Sequence, residues 1–378
     1  ISLGLPDGLL GVGWPSMSAE FGVPLSAVGF VITVGTAGYV ASSVAAGFTI
    51  ARLGVGWLLA GSTALVSVAL VGYAAAPALV LVVGFALLLG LGSGAIDSGL
   101  NAYAAGNFGA RHMNWLHASF GLGATIGPLV MTGVLDAGLA WRWGYGVVAA
   151  AQALLAAAFL VTARSWAAHR AGRAEEEAAA ATDPAVRVRD TLRLPGVWFG
   201  AGAFAVYVGL EIGAGLWAYT LLTDGRGLPA GVAGVCVSAY WGSLFVGRLA
   251  LGAFGDRIST RRVLLASLGG IAAGAVLVAL PAPAWVAVGG LMLIGLSAAP
   301  VFPLMTLTTA ERVGLAHADR AIGVQMGTCA LGGALIPAGL GVMITRYGTD
   351  VLGPALALLS VLLLVLYLAA SRRRPAVT

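Results

Sequence analysis

Four charged side chains fall in the middle of long apolar runs: Asp7, Asp97, Glu211 and Arg248. Placing such a group at the centre of a bilayer costs about 2.5 to 3.5 kcal/mol on insertion scales, so charge inside a membrane is read first as function. A carboxyl group drawn out of bulk water holds its proton toward neutral pH, and it can load and release that proton as its surroundings change. Helical spacing extends each acid into a stripe. Asp7, Leu10, Gly11 and Trp14 share one face, Ser93, Asp97 and Asn101 a second, and Tyr207, Glu211, Gly215 and Tyr219 a third. Carboxylates, an amide and rings together suit a sugar, whose hydroxyls reach the polar groups while a ring covers its C–H face. Trp14, Tyr207 and Tyr219 serve equally well as core or lipid-interface packing. His117 is placed either to relay a proton to Asp97 or to bond to the backbone at a helix start. Gln325 is either a partner for a cargo hydroxyl or an interhelical hydrogen bond.

These groups stand out because so little else is charged. Of the 378 residues, 59% are hydrophobic and 9% charged, against about 25% charged in an ordinary soluble domain. A soluble enzyme has no room here. At about 20 apolar residues per span, the chain reads as an all-α membrane protein of twelve transmembrane helices. They fall near residues 1–18, 25–50, 57–75, 78–105, 114–135, 141–164, 197–222, 230–254, 262–280, 284–309, 320–345 and 350–371. Two six-helix bundles, 1–164 and 197–378, flank a polar linker over 165–196 that carries Arg170, Arg173 and Glu175 to Glu177.

All 20 basic residues are arginine. With both termini cytoplasmic, sixteen of them lie on the inner side and only Arg142, Arg226 and Arg346 on the outer, the asymmetry that orients membrane proteins. The net charge of +5 therefore points to the bilayer and not to nucleic acid. The Ala, Gly and Val bias suggests a GC-rich bacterial genome, hence the bacterial cytoplasmic (inner) membrane. Cys236 and Cys329 sit in apolar runs as buried small hydrophobes. No metal or organic cofactor is expected; H+ is the expected coupling ion, with Na+ as the alternative. A monomer is expected.

Either side of the linker the halves repeat. Gly47 and Gly90 recur as Gly252 and Gly295, and Pro128 as Pro337, while Phe302 stands where Asp97 stands in the first half. The stretch from Gly252 to Arg262, with Asp256-Arg257 and Arg261-Arg262 in a predicted inner loop, resembles the loop signature of the major facilitator superfamily. Its first-half copy, Gly47 to Gly56, keeps Arg52 but has Ala51 in the acid's place. The resemblance implies a duplicated twelve-helix transporter working by alternating access. Arg52, Asp256, Arg257 and Arg261 would be its gating latch, with Arg248 a gating or structural arginine. It also implies that spans one, four and seven, which carry Asp7, Asp97 and Glu211, line the transport path.

The segments Gly94 to Asn101, Met113 to Gly123 and Tyr207 to Trp217 are similar to those of the fucose permease-like and sodium-dependent glucose transporter-like branch. That likeness implies cation-coupled sugar transport, with Asp97 and Asn101 binding sugar and Asp7 coupling the proton; Glu211 is a second coupling candidate. Proton-driven export of an amphipathic compound is the competing expectation. An intramembrane enzyme is not expected, because no activated serine with a partner histidine and no paired acids in a Gly-x-Gly-Asp context are present.

Overall fold

The computed structural model describes residues 1–107, 110–167, 188–254 and 259–371. Helices form because a backbone crossing hydrocarbon must satisfy its own N–H and C=O groups, and among the described residues there is no strand. The principal helices are α1 Gly4–Phe21, α2 Val28–Leu53, α3 Val55–Ala75, α4 Leu79–Asn107, α5 Ala110–Asp136 and α6 Arg142–Thr162. They continue as α7 Pro195–Thr220, α8 Ala230–Phe254, α9 Thr260–Ala279, α10 Ala284–Ala298, α11 Leu315–Tyr347 and α12 Leu352–Ala370. Among the described residues eleven helices are long and apolar enough to cross a membrane. The twelfth is α1, whose 18 residues include Asp7, Pro15 and Glu20 and so fall short on apolarity.

Two departures from the expected spans have simple causes. The tenth span, expected as one helix, stops at Ala298 and resumes as Val301–Leu307. Pro300 has no N–H to continue the ladder, and its ring opposes the preceding turn. The polar segment before the seventh span carries a short helix, Val188–Leu192, packed by the fully buried Thr191, whose Oγ1 lies 2.9 Å from His317 Nδ1. Between α2 and α3 the chain reverses at the single residue Gly54, whose φ of 86° is a left-handed conformation that glycine adopts without a side-chain clash.

The chain divides into two compact units, Ile1–Val23 with Phe30–Ala185, and Pro24–Gly29 with Val186–Thr378. Inside each, the same helix pairs meet. In the first, α1 packs on α5 and α3 on both α4 and α6; in the second, α7 packs on α11 and α9 on both α10 and α12. Glycine makes these approaches possible. A side chain at Gly4 or Gly8 would strike the α5 backbone, and one at Gly209 would strike α11 at Gly332 and Ile336. Trp57, Trp143, Trp198 and Trp285 are exposed, each within the first four residues of its helix, where an amphipathic ring suits the membrane boundary.

One end of each unit is tied by an arginine, with acid and base exchanged between the two. Arg142, opening α6, pairs with Glu20 at the end of α1 (2.6 Å) and donates to the carbonyls of Ala74 and Ala76 where α3 ends. Arg226, just beyond α7, lies 3.5 Å from Asp350 at the start of α12 and donates to Val278 and Leu280 where α9 ends. The Asp350 side chain is 80% exposed and that of Arg226 only 13%, so the ion pair itself contributes little and the carbonyl bonds dominate.

Gly90→Leu, which would drive a side chain into the Gly35 carbonyl, should lower the melting midpoint by several degrees, whereas Gly84→Leu on the same helix, with nothing within 4 Å, should not. Equal melting of the two variants would remove glycine-mediated contact from the account. Arg226→Ala should cost about 1 kcal/mol or more and Asp350→Asn less than about 0.5 kcal/mol, read from the same melting curves.

Candidate functional site

In the first unit the polar centre is assembled by α2 and α4. Gly90 lies against the Gly35 carbonyl and Gly94 against that of Tyr39, so the two backbones run nearly in contact. That closeness delivers the Tyr39 hydroxyl to Asp97 Oδ2 at 2.5 Å. One turn along α4, Asn101 Nδ2 donates to Asp97 Oδ1 at 3.0 Å. Each carboxylate oxygen thus accepts one bond, and the carboxylate is fixed in orientation while remaining half-buried. The other end of the amide is different. Asn101 Oδ1 is buried with no hydrogen-bond partner among the described residues, an acceptor that costs free energy until a donor reaches it.

Asp7 sits on α1 and is exposed, although Pro6, Gly8 and Leu9 around it are buried. An ionised carboxylate on such an apolar helix needs water or a charged partner, since hydrocarbon would force it to take up a proton. Trp14, on the same predicted stripe, is 1% exposed and belongs to the core of the first unit.

The second unit carries an acid on a different helix. Glu211 on α7 is buried. The Tyr207 hydroxyl, one turn earlier, donates to its carboxylate and also lies 3.0 Å from the carbonyl of Ala298, where α10 ends. Arg248 Nη2 on α8 stands 3.9 Å from Glu211 Oε1, and the Tyr240 hydroxyl donates to the Glu211 main-chain carbonyl at 2.7 Å. Phe302 packs edge-on to Phe204 and tilted on Tyr207, so the position equivalent to Asp97 is apolar here. The Tyr207 hydroxyl has one proton for two acceptors. With Glu211 ionised it serves the carboxylate; with Glu211 protonated it can accept from the acid and turn to Ala298. One proton therefore separates two bonding patterns between α7 and α10.

The remaining predicted residues are spread between packing and the helix ends. Of the stripe Tyr207, Glu211, Gly215 and Tyr219, Glu211 and Gly215 meet α8, Gly215 directly against Trp241 and Tyr240, whereas Tyr207 reaches Ala298 on α10; Tyr219 is 7% exposed. Gln325 is 1% exposed, accepts from Thr309 Oγ1 at 3.1 Å and abuts Gly200, which makes it an interhelical clasp. Arg52 ends α2 and Arg261 begins α9, both exposed. Asp256 and Arg257, and the His117 side chain, lie outside the described residues.

Tyr39 and Tyr240 were missed by sequence reasoning, yet a signal existed. Both belong to a Tyr-x-x-Ser pattern on the second helix of a unit, and Ser42 and Ser243 each donate back to the carbonyl of their tyrosine. The repeated glycines recur 205 residues apart and this tyrosine pair 201 apart, a different register.

The model of the Major Facilitator Superfamily matches residues 1–337 and 201–377. No curated protein sequence matches the chain. Among solved structures, that of the nucleoside transporter NupG superposes with a TM-score of 0.76 at 15% identity, over 98% of this chain and 97% of its own. That of a D-xylose-proton symporter gives 0.69 at 15% identity, over 96% and 94%. At such identity the likeness speaks for the fold. With the family model spanning both halves of a twelve-helix chain whose units repeat one pairing of helices, this protein belongs to the major facilitator superfamily and is a membrane transporter, not an enzyme.

Proposed function

We propose that this transporter carries a small hydroxyl-rich solute, a sugar or a sugar-containing compound, by proton-coupled symport across a bacterial cytoplasmic membrane, with both termini cytoplasmic. The observation that carries the reading is the Tyr39–Asp97–Asn101 group. Its carboxylate is already oriented by two donors, and beside it the Asn101 carbonyl oxygen awaits a third. A cargo hydroxyl is a donor of the right kind, and satisfying a buried acceptor gives the site discrimination against analogues lacking that hydroxyl. Asp7, exposed in the first turn of α1, is the acid best placed to take a proton from water. Glu211 changes partners with its proton through Tyr207, so it suits the coupling of protonation to movement of α10.

Coupling to a potential of about 100 mV supplies about 2.3 kcal/mol for each proton moved. That is enough to concentrate a neutral cargo roughly fifty-fold. The two structural neighbours, a nucleoside transporter and a D-xylose-proton symporter, are in keeping with a polyhydroxylated cargo. Export of an amphipathic compound is the second reading, favoured by the Phe204, Tyr207 and Phe302 rings around Glu211. Resistance profiles of overexpressing cells address it.

Uptake of labelled sugars and nucleosides into proteoliposomes, with and without an imposed pH gradient, tests the proposal; no gradient-dependent uptake of any of them would overturn it. Asp97→Asn should abolish both exchange and accumulation, and Tyr39→Phe should raise the KM by about three- to tenfold. Asp7→Asn should retain exchange and lose accumulation. For the second unit, Arg248→Leu should be more destabilising than Arg248→Leu combined with Glu211→Gln, because the single change leaves a buried charge without its partner. A double variant as unstable as the single would mean that Glu211 does not carry the charge assigned to it.

A further inference from the structure

The second unit holds a groove lined by none of the residues of its polar centre. It lies between α9 and α10, has a volume of about 430 Å3 and is lined by Arg262, Val263, Ala266, Ser267, Leu296 and Ser297. The α9 residues of this set fall at i, i+1, i+4 and i+5, so they form one continuous stripe up the helix. The groove closes where Gly270 meets the Ser297 side chain, a contact that leaves no space for a Cβ. From Arg262 to Gly270 is eight residues, or about 12 Å along the axis. The hydrocarbon of one leaflet is about 15 Å deep. The lining itself, from Arg262 to Ser267, covers about 7.5 Å, half of that depth, and starts at a charged mouth.

That mouth is basic. Arg261 and Arg262 are adjacent and exposed on the first turn of α9, and among the described residues Arg262 pairs with no carboxylate. The walls above it are apolar or hydroxylic. A guanidinium at the membrane boundary with an apolar slot leading away from it matches an amphiphile with an anionic head and a hydrocarbon tail. We propose that this groove is a binding site for an anionic phospholipid of the arginine-rich leaflet, with its phosphate on Arg262 and the head-proximal part of one acyl chain seated between α9 and α10. Ser267 and Ser297 provide hydroxyls for the ester oxygens. The assignment is independent of the cargo and of the coupling ion, because none of these six residues belongs to the polar centres on α1, α2, α4 and α7.

The full chain, purified in detergent, is titrated with phosphatidylglycerol, phosphatidylcholine or glycerol 3-phosphate, and bound molecules are counted by native mass spectrometry. Phosphatidylglycerol should be retained in preference to phosphatidylcholine, and glycerol 3-phosphate should not compete. Arg262→Gln should weaken phosphatidylglycerol retention about tenfold and leave phosphatidylcholine unchanged. Ala266→Leu, which fills the slot from an exposed position, should weaken retention of both. Melting curves identify a variant that has not folded, and the other variant then decides. Equal retention of the two lipids by the unaltered chain, undiminished phosphatidylglycerol on both folded variants, or effective competition by glycerol 3-phosphate would each overturn the proposal.

Discussion

The contact between α2 and α4 through Gly35, Gly90 and Gly94 is the constraint from which the polar centre of the first unit follows. In hydrocarbon two apolar helices gain little by exchanging lipid for one another, so association relies on close van der Waals approach and on hydrogen bonds across the interface. Glycine supplies the first at Gly90 and Gly94. The approach then makes the second possible, because a tyrosine ring on α2 spans the remaining gap to Asp97. A side chain at either glycine would push the helices apart and with them the donor that orients the carboxylate.

The two units keep the packing and divide the chemistry. Tyr39 and Tyr240 hold corresponding places, each followed by a serine that bonds back to its carbonyl. In the first unit the tyrosine meets a carboxylate on α4. In the second, Phe302 takes that place, Tyr240 donates instead to the main chain of Glu211, and the acid comes from α7. One unit therefore presents oriented acceptors, while the other holds a buried acid between a tyrosine and an arginine. The same economy appears at the helix ends, where Arg142 with Glu20 and Arg226 with Asp350 seal equivalent carbonyls with acid and base interchanged.

Burial separates the residues that sequence spacing had grouped. Asp7 and Trp14 share a predicted stripe, yet the acid is exposed and the ring is sealed in the core. Tyr219 and Gln325 are likewise enclosed within the second unit, and Gln325 serves the contact of α11 with Thr309 and Gly200. The broken tenth span has a local cause in Pro300, and its proline was visible in the sequence; that the helix would end with the Ala298 carbonyl at the Tyr207 hydroxyl was not.

From the sequence by itself came the helical class, the number of spans, the duplicated halves, the asymmetric arginines and the acids that do not belong in lipid. These are local matters: a peptide group in hydrocarbon must be satisfied within its own helix, and a charge there is conspicuous wherever it points. Which face of each helix turns inward was settled only by the tertiary structure. In a soluble protein the polar face marks the outside, but here lipid and core are both apolar, so the side chains of α4 and α7 carry no such label. The partners of Asp97 and Glu211, 58 and 37 residues away at Tyr39 and Arg248, are chosen by which backbones can come close enough to touch.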